Sequence, residues 1–555
     1  MSGAQSRQVR HFRQILIWPL QLMPIHDDVQ IQNHWELLQS DPHWQEVADE
    51  FGDPGEFKER HYAEFVTFLP YVQRMLYGEG KGCGNVPGES PLRVFRRNDV
   101  KKVRMTYPGD ETNPVVFDVG HIDLYFFYDL DVTLLVVEIF GNDLSFERAH
   151  ETLFRFGRSY PTYWKEDGRG GHCLSRAEWL DENGNVLAAS DFEKRKKYLT
   201  YAARFRAPCI SSHWEYILSP MVLHHSDCDG PIRYRLVEYH RMPVCGYLSL
   251  DDPRQLTRGD FMRLALVTPP GPSNTLPMPE KQAEDFEEKY CYDRYWNPPG
   301  EDRIGTRAMC SGEAFVMVGA HAEHMDKSNG VSILEHFRHQ YFLVFLIAHV
   351  HKASLFMLSD RLLHALNRLD IQVPDSIRRF KREIRSHKEV FLRFTHRYWF
   401  HEVSDQLLAK ALYHMTSNQL GTERLYRDVY AEIEDMNQYL DSDSIRRQAN
   451  MVIRLTVVTI FGLIGTVVTG YFGMNLMTET DTPLGWRILY FFLMSGAITG
   501  LTFYTIIKSK KLSDFLDTLS DERVGMKHKI GALLNVWKPT KKPARQQLGP
   551  PSPLP

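Results

Sequence analysis

What this 555-residue sequence lacks excludes several chemistries. No CxxC pair occurs. The seven cysteines (Cys83, Cys173, Cys209, Cys228, Cys245, Cys291 and Cys310) are odd in number and scattered. That suits free thiols in a reducing compartment, not a disulfide scaffold. There is no HExxH and no Gly-x-Ser-x-Gly, so neither a zinc protease helix nor a nucleophile elbow is present. No catalytic constellation stands out, and an enzyme is not expected. Charge of one sign is not in excess: 66 basic and 70 acidic residues leave −4. Nucleic-acid binding therefore has no electrostatic footprint. Ile15-Leu16-Ile17-Trp18 is too short for a secretory signal and is cut by Pro19. The first 26 residues hold no acid, which a transit peptide would share. A surface tail followed by a strand is the plainer expectation.

Two absences near the C-terminus are the most informative. Proline is missing from Asp375 to Thr482, and Gly421 is the sole glycine there before Gly462. Long helices are expected, with a break at Gly421-Thr422, a C-cap followed by an N-cap. Charge is missing from the nineteen residues Leu455–Gly473 and from the twenty residues Ile488–Ile507. At about 1.5 Å per residue, each run matches roughly 30 Å of hydrocarbon. A chain in lipid must satisfy its own backbone groups, so two such runs read as a helical hairpin. Arg446, Arg447 and Arg454 flank the first run, and Lys508, Lys510 and Lys511 follow the second. Basic flanks stay inside, which puts both termini in the cytoplasm and residues 475–487 outside.

The first run closes on Tyr471-Phe472-Gly473-Met474-Asn475. A Gly-Met-Asn ending the first of two C-terminal spans resembles the CorA superfamily of divalent-cation channels and transporters. The short acidic connector, the basic flank after the second span and the long soluble part in front fit the same architecture. The resemblance is specific over about Tyr439–Lys511. It implies a homopentameric funnel in a bacterial inner membrane, with the helix before the motif lining an axial pore. It also implies Mg²⁺ as cargo, with Zn²⁺, Co²⁺ or Ni²⁺ as alternatives, since carriers of those ions share the tripeptide. The expected partners are further copies of the chain, membrane lipid and divalent cations. A third reading stays open: a membrane-anchored binding or signalling protein whose hairpin only oligomerises.

Mg²⁺ releases its waters reluctantly. A ring of Asn475 amides accepts hydrogen bonds from those waters and leaves the shell intact. Conduction needs binding that is favourable yet weak enough to leave. Gly473 allows close backbone packing, and Met474 suits packing better than ligation. Glu479 and Asp481 in the connector can raise the local cation concentration. Leu455, Thr459, Leu463 and Thr466 recur at steps of four, four and three, and so share one face. That face is the expected pore lining, with hydroxyls for a hydrated ion and leucines as dewetting constrictions. Two features depart from the family: Gly462-Leu463-Ile464-Gly465 stands where many relatives carry a proline, and Leu476-Met477-Thr478-Glu479 replaces their acidic Met-Pro-Glu-type loop.

Ahead of the motif, one helix is expected from Glu423 through Asn475. Leu425, Val429, Ile433, Met436 and Leu440 form an apolar stripe. The other face carries acids, among them Glu432 and Asp435. About fifty residues at 1.5 Å each reach roughly 75 Å, the length of a stalk. The resemblance implies gating by intracellular divalent ions, for which Glu432 and Asp435 are the first candidates. An ordinary solvated face is the competing reading.

The rest of the chain reads as an α+β (α/β) cytoplasmic domain. Gln14–Ile25, with Pro19 and Pro24, suggests an edge strand. His34–Phe51 and Glu56–Tyr77 suggest helices. Leu92–Phe140 suggests strands with a hairpin at Tyr128-Asp129-Leu130-Asp131. Asn142–Phe156 suggests a helix capped by Asp143 or Ser145. Residues 268–300 hold seven prolines and suggest a linker, where a subdivision is expected. Gly330–Leu369 is strongly apolar, but His349, His351 and Lys352 interrupt it, so a buried core helix is favoured over a third span. His224-His225-Ser226-Asp227-Cys228-Asp229 has metal-ligand types without a partner motif. So do His321, His324 and Asp326, and the pair His349 and His351. The resulting division is 1–330 for the α/β domain, 331–450 for the helical region and stalk, 451–507 for the hairpin, and 508–555 for a basic tail.

Overall fold

The computed structural model describes residues 7–25, 33–47, 58–78, 91–237, 241–296, 305–326, 331–370 and 373–478, with residues 483, 485–486, 488–497, 499–500 and 504. The tail after 508 and the connector acids lie outside the described residues. The chain divides into two compact units, Met1–Glu434 and Asp435–Pro555.

The first unit is built on a fourteen-stranded mixed sheet with helices packed around it. The mixed α/β expectation holds for this unit. The strand Gln8–Leu22 runs antiparallel to Val132–Ser145 along nearly its whole length. On its other side it pairs with Val244–Leu250 and then with Arg233–Leu236. It is therefore central, which corrects the edge assignment for Gln14–Ile25. Pro19 is tolerated because it sits where that second neighbour changes. Val244–Leu250 pairs as far as Leu16, Arg233–Leu236 begins opposite Leu20, and Val237 N donates to the Pro19 carbonyl at 3.4 Å. The missing N–H falls at a junction where no ladder bond is due.

Other expectations hold or shift for local reasons. The hairpin between Asp110–Phe127 and Val132–Ser145 turns at Tyr128–Asp131, with Asp129 at φ 70. The helix Phe146–Arg155 is capped by Ser145, whose hydroxyl accepts from Arg148 N at 3.2 Å. His34–Phe51 is not one helix: a 3₁₀ turn His34–Leu37 leads to a short strand Trp44–Glu46, because Pro42 stops the helix. Glu56–Tyr77 splits into Glu59–Thr67 and Pro70–Tyr77, with Pro70 opening the second helix. Residues 268–300 are not all loop; Glu280–Tyr290 is a helix that buries Ala283 and Phe286.

The apolar stretch Ile333–Asn367 contains Ile333–His336, a π-turn Phe337–Tyr341 and the helix Phe342–Asn367. Among the described residues it is the one helix long and apolar enough to cross a membrane, yet 83% of its apolar window is buried inside the protein. It is a core helix, as its histidines suggested. His351 Nε2 meets the Tyr398 carbonyl at 2.6 Å, and the buried His349 ring packs 4.5 Å from Phe345. From the π-turn, Arg338 reaches Glu138 at 3.1 Å, and Glu138 also takes Arg13 at 2.5 Å. Burial works to raise the Glu138 pKa, but Arg13 and then Arg338 overcome it and hold the carboxyl at about 2.

Candidate functional site

The helices Pro374–Arg397 and Leu407–Leu420 lead into the long helix Thr422–Thr478. The break between the last two comes at Gly421, whose φ of 65 is the left-handed cap a side chain resists. From Thr422 the helix continues for 57 residues, through the membrane run and the tripeptide. The uninterrupted helix read from the missing proline is therefore present.

Its first turns are held in the first unit by aromatic packing. Tyr426 stacks on Trp399 at 4.4 Å, and Phe391 lies 5.3 Å from Tyr426 and 6.1 Å from Tyr430. Along the expected stripe Val429, Ile433 and Leu440 are buried, while Leu425 and Met436 are half-buried. Glu432 and Asp435 are exposed. Their neighbour Glu434 meets Lys388 at 3.5 Å. Residue order does not reveal this tertiary pair, because its partners lie 46 positions apart.

The membrane run has the opposite surface. Leu455, Leu463 and Val467 are 67%, 64% and 65% exposed in the single chain. Thr459 and Thr466 are exposed on the same face. Thr459 Oγ1 donates to the Leu455 carbonyl at 2.8 Å, and Thr466 Oγ1 to the Gly462 carbonyl at 2.9 Å. Each hydroxyl proton is thereby spent on the helix, and what each oxygen retains is acceptor capacity. Among the described residues, nothing stands within 4 Å of where a Cβ would lie on Gly462, Gly470 or Gly473. The tripeptide Gly473-Met474-Asn475 is helical backbone; the side chains of Met474 and Asn475 lie outside the described set, as do Glu479 and Asp481. In the second run, Ile488–Ala497 is an apolar helix whose Tyr490, Phe492 and Leu493 are exposed.

Among the described residues, no group of three His, Cys, Asp or Glu side chains could hold a metal ion. The His224–Asp229 stretch is a turn and not a ligand set. Arg204 takes Asp227 at 2.7 Å, Arg233 donates to the carbonyls of His224, Ser226 and Cys228, and Cys228 is exposed. His324 is buried between Tyr247 Oη at 2.7 Å and Thr306 Oγ1 at 2.8 Å.

A long helix whose apolar, threonine-bearing face is unburied in the single chain presents a surface suited to cover by lipid or by further protein. Residues 368–511 match the family model described as CorA-like Mg²⁺ transporter protein. That segment, about a quarter of the chain, is what is similar to the CorA-like Mg²⁺ transporter family. No curated protein and no solved structure matches the chain.

Proposed function

We propose that the chain is one subunit of a homopentameric channel that passes hydrated Mg²⁺ through an axial pore lined by its long helix. The observation that carries this reading is the exposed face of Leu455, Thr459, Leu463 and Thr466. Leucines that contact water in one chain gain about 25 cal/mol per Å² when covered, so this face demands a partner surface or lipid. The threonines add polarity of a particular sign. With their protons donated backward, Thr459 and Thr466 present lone pairs, and an ion's bound waters present protons. Leu455 and Leu463 then act as the dewetting constrictions between them.

The Asn475 ring is the proposed filter, accepting from the ion's waters at the outer mouth. Asn475 lies nine residues beyond Thr466, two and a half helical turns. On a regular helix those positions fall on opposite sides. The proposal therefore includes an opening of the helix at Gly473, where no side chain resists and no neighbour stands within 4 Å. Glu479 and Asp481 gather cations, and Glu432 and Asp435 form the regulatory metal face between copies. Both termini are cytoplasmic, and a bacterial inner membrane is the setting. Zn²⁺, Co²⁺ or Ni²⁺ as cargo is the second reading, resting on the shared tripeptide.

The test is divalent-ion entry into liposomes holding the purified protein beside Asn475→Ala, with Mg²⁺, Co²⁺ and Zn²⁺ in parallel. Mg²⁺ entry that Asn475→Ala strongly alters is expected. If a folded, oligomeric protein passes none of the three ions, transport is lost as a reading. Preference for Zn²⁺ or Co²⁺ over Mg²⁺ moves the chain to the second reading.

A further inference from the structure

The first unit has a corner whose chemistry the transport argument does not use. The core helix Phe342–Asn367 ends there and the helix Pro374–Arg397 begins. The corner closes on its own hydrogen bonds. Asp370 N donates to Ser376 Oγ at 2.8 Å, and Ser376 Oγ donates to the Arg368 carbonyl at 3.2 Å. Val373 N donates to the Asp370 carbonyl at 3.2 Å. Pro374 then opens the second helix at a position where no N–H is needed.

Apolar side chains at this corner face outward. Leu363 and Leu366, three apart on the core helix, are 55% and 47% exposed, and Val373 is 43% exposed. Arginines flank them: Arg368, Arg378, Arg379, Arg382 and Arg385 are all exposed. Arg378, Arg382 and Arg385 recur at steps of four and three, and so share one helix face. Arg378 meets Asp375 at 3.6 Å, and both of those side chains stay exposed. Among the described residues, Arg368, Arg379, Arg382 and Arg385 meet no carboxylate. Ile371 and Gln372, the neighbours outside the described set, bring no charge. From Arg368 to Lys388 the sequence holds seven basic residues and three acids, in a chain whose sum is −4.

The corner also has a direction. Trp399 and Phe391 pack on Tyr426, Phe391 also on Tyr430, and Lys388 meets Glu434. As residues 426–434 advance, their partners recede from Trp399 to Lys388, so the two helices run antiparallel. Arg379 lies nine residues beyond Lys388, about 14 Å along its helix. The corner is therefore at the end of the first unit by which the chain leaves it, at Glu434.

We propose that this corner docks on the anionic headgroups of a phospholipid bilayer, its arginines on lipid phosphates and Leu363, Leu366 and Val373 at the acyl boundary. The proposal rests on the membrane insertion in the reading above. Planar guanidinium forks suit phosphate oxygens. A bilayer offers phosphate at its surface and hydrocarbon just beneath, and a long arginine stem spans the two. Basic clusters on an amphipathic helix are drawn to such a surface.

The test is hydroxyl-radical footprinting of the full-length protein, read by mass spectrometry at Leu363, Leu366 and Val373. It is run in vesicles of phosphatidylcholine alone, in vesicles mixed with phosphatidylglycerol, and in detergent. Phe492 and Leu493 of the second apolar run report insertion. The anionic vesicles should cut oxidation at the corner at least threefold. Each arginine near an anionic surface shifts the docked-to-free ratio about fivefold. The combined Arg379→Gln, Arg382→Gln and Arg385→Gln protein should therefore return oxidation to its level in phosphatidylcholine. Raised salt should do the same to the wild type, with no substitution to disturb folding. Equal corner oxidation in the two lipids, with Phe492 and Leu493 protected in both, overturns the docking and leaves the membrane reading standing. Free oxidation of Phe492 and Leu493 in both vesicles sinks that reading and the docking with it. Corner protection that is the same in detergent, or that survives both salt and the triple substitution, means that protein covers this face, and also overturns the proposal.

Discussion

The core helix Phe342–Asn367 and the membrane run Leu455–Gly473 are alike in composition and opposite in fate. Within the first, Val344, Phe345, Leu346, Ile347 and Ala348 are at most 1% exposed. In the second, Leu455, Leu463 and Val467 are more than 60% exposed in the single chain. The difference lies in what interrupts each run. His349, His351 and Lys352 cut the first after seven residues, and a protein group receives His351 at the Tyr398 carbonyl. The second carries threonines and Tyr471 as its polar side chains, and Thr459 and Thr466 satisfy their hydroxyl protons within the helix. A polar group that needs a neighbour belongs in a protein core; one that closes its own hydrogen bond can stand in lipid.

The comparison breaks most visibly under a buried charge. Ile347→Asp should destabilise the first unit by more than about 4 kcal/mol, since an unpaired carboxylate enters a sealed core. Leu463→Asp should leave that unit's thermal transition within about 0.5 kcal/mol while disturbing ion entry. Calorimetry on both variants checks this. An Ile347→Asp protein that unfolds like wild type would make the first run a membrane span after all.

A second test uses pH. Glu138 is held at about 2 when folded, against an ordinary 4.5. A depressed carboxylate contributes fully above the ordinary value and loses its contribution as pH falls from about 4.5 towards 2. Glu138→Gln leaves Arg13, only 6% exposed, without its carboxylate. It should cost about 3–5 kcal/mol at pH 7. Chemical unfolding across pH should show that gap closing through the same acid window. A gap that stays constant from pH 7 to pH 2 would deny the ion pair its role.

The smallest effect is expected at the join between the helical regions. Gly421→Ala places a Cβ at φ 65 and should cost about 1 kcal/mol. Since nothing lies within 4 Å, the cost is purely one of backbone conformation. Thermal unfolding unchanged by the substitution would mean that Leu407–Leu420 does not need that cap.

Much of the candidate site was legible from residue order because its physics is local. A proline-free stretch, one glycine and two uncharged runs dictate helices whatever surrounds them. The Ser145 cap was legible for the same reason. The strand position of Gln8–Leu22 was not: Pro19 weakens a central strand unless its bare nitrogen meets a junction, and only the neighbours Val244–Leu250 and Arg233–Leu236 create one. The His224–Asp229 stretch misleads in the opposite way: Asp227 is taken by Arg204 and Arg233 binds the turn's carbonyls, so the neighbouring rings of His224 and His225 gain no third ligand among the described residues.

The amino-acid sequence by itself determined the long helix, the break before it at Gly421, the two apolar runs and the Gly473-Met474-Asn475 tripeptide, which lies within the segment similar to the CorA-like family. These follow from backbone hydrogen bonding and hydrophobicity along contiguous residues. The tertiary structure alone decided that Gln8–Leu22 is a central strand and that Lys388 meets Glu434. Those outcomes depend on residues more than forty positions apart, and only the packing of sheet and helices brings such residues together.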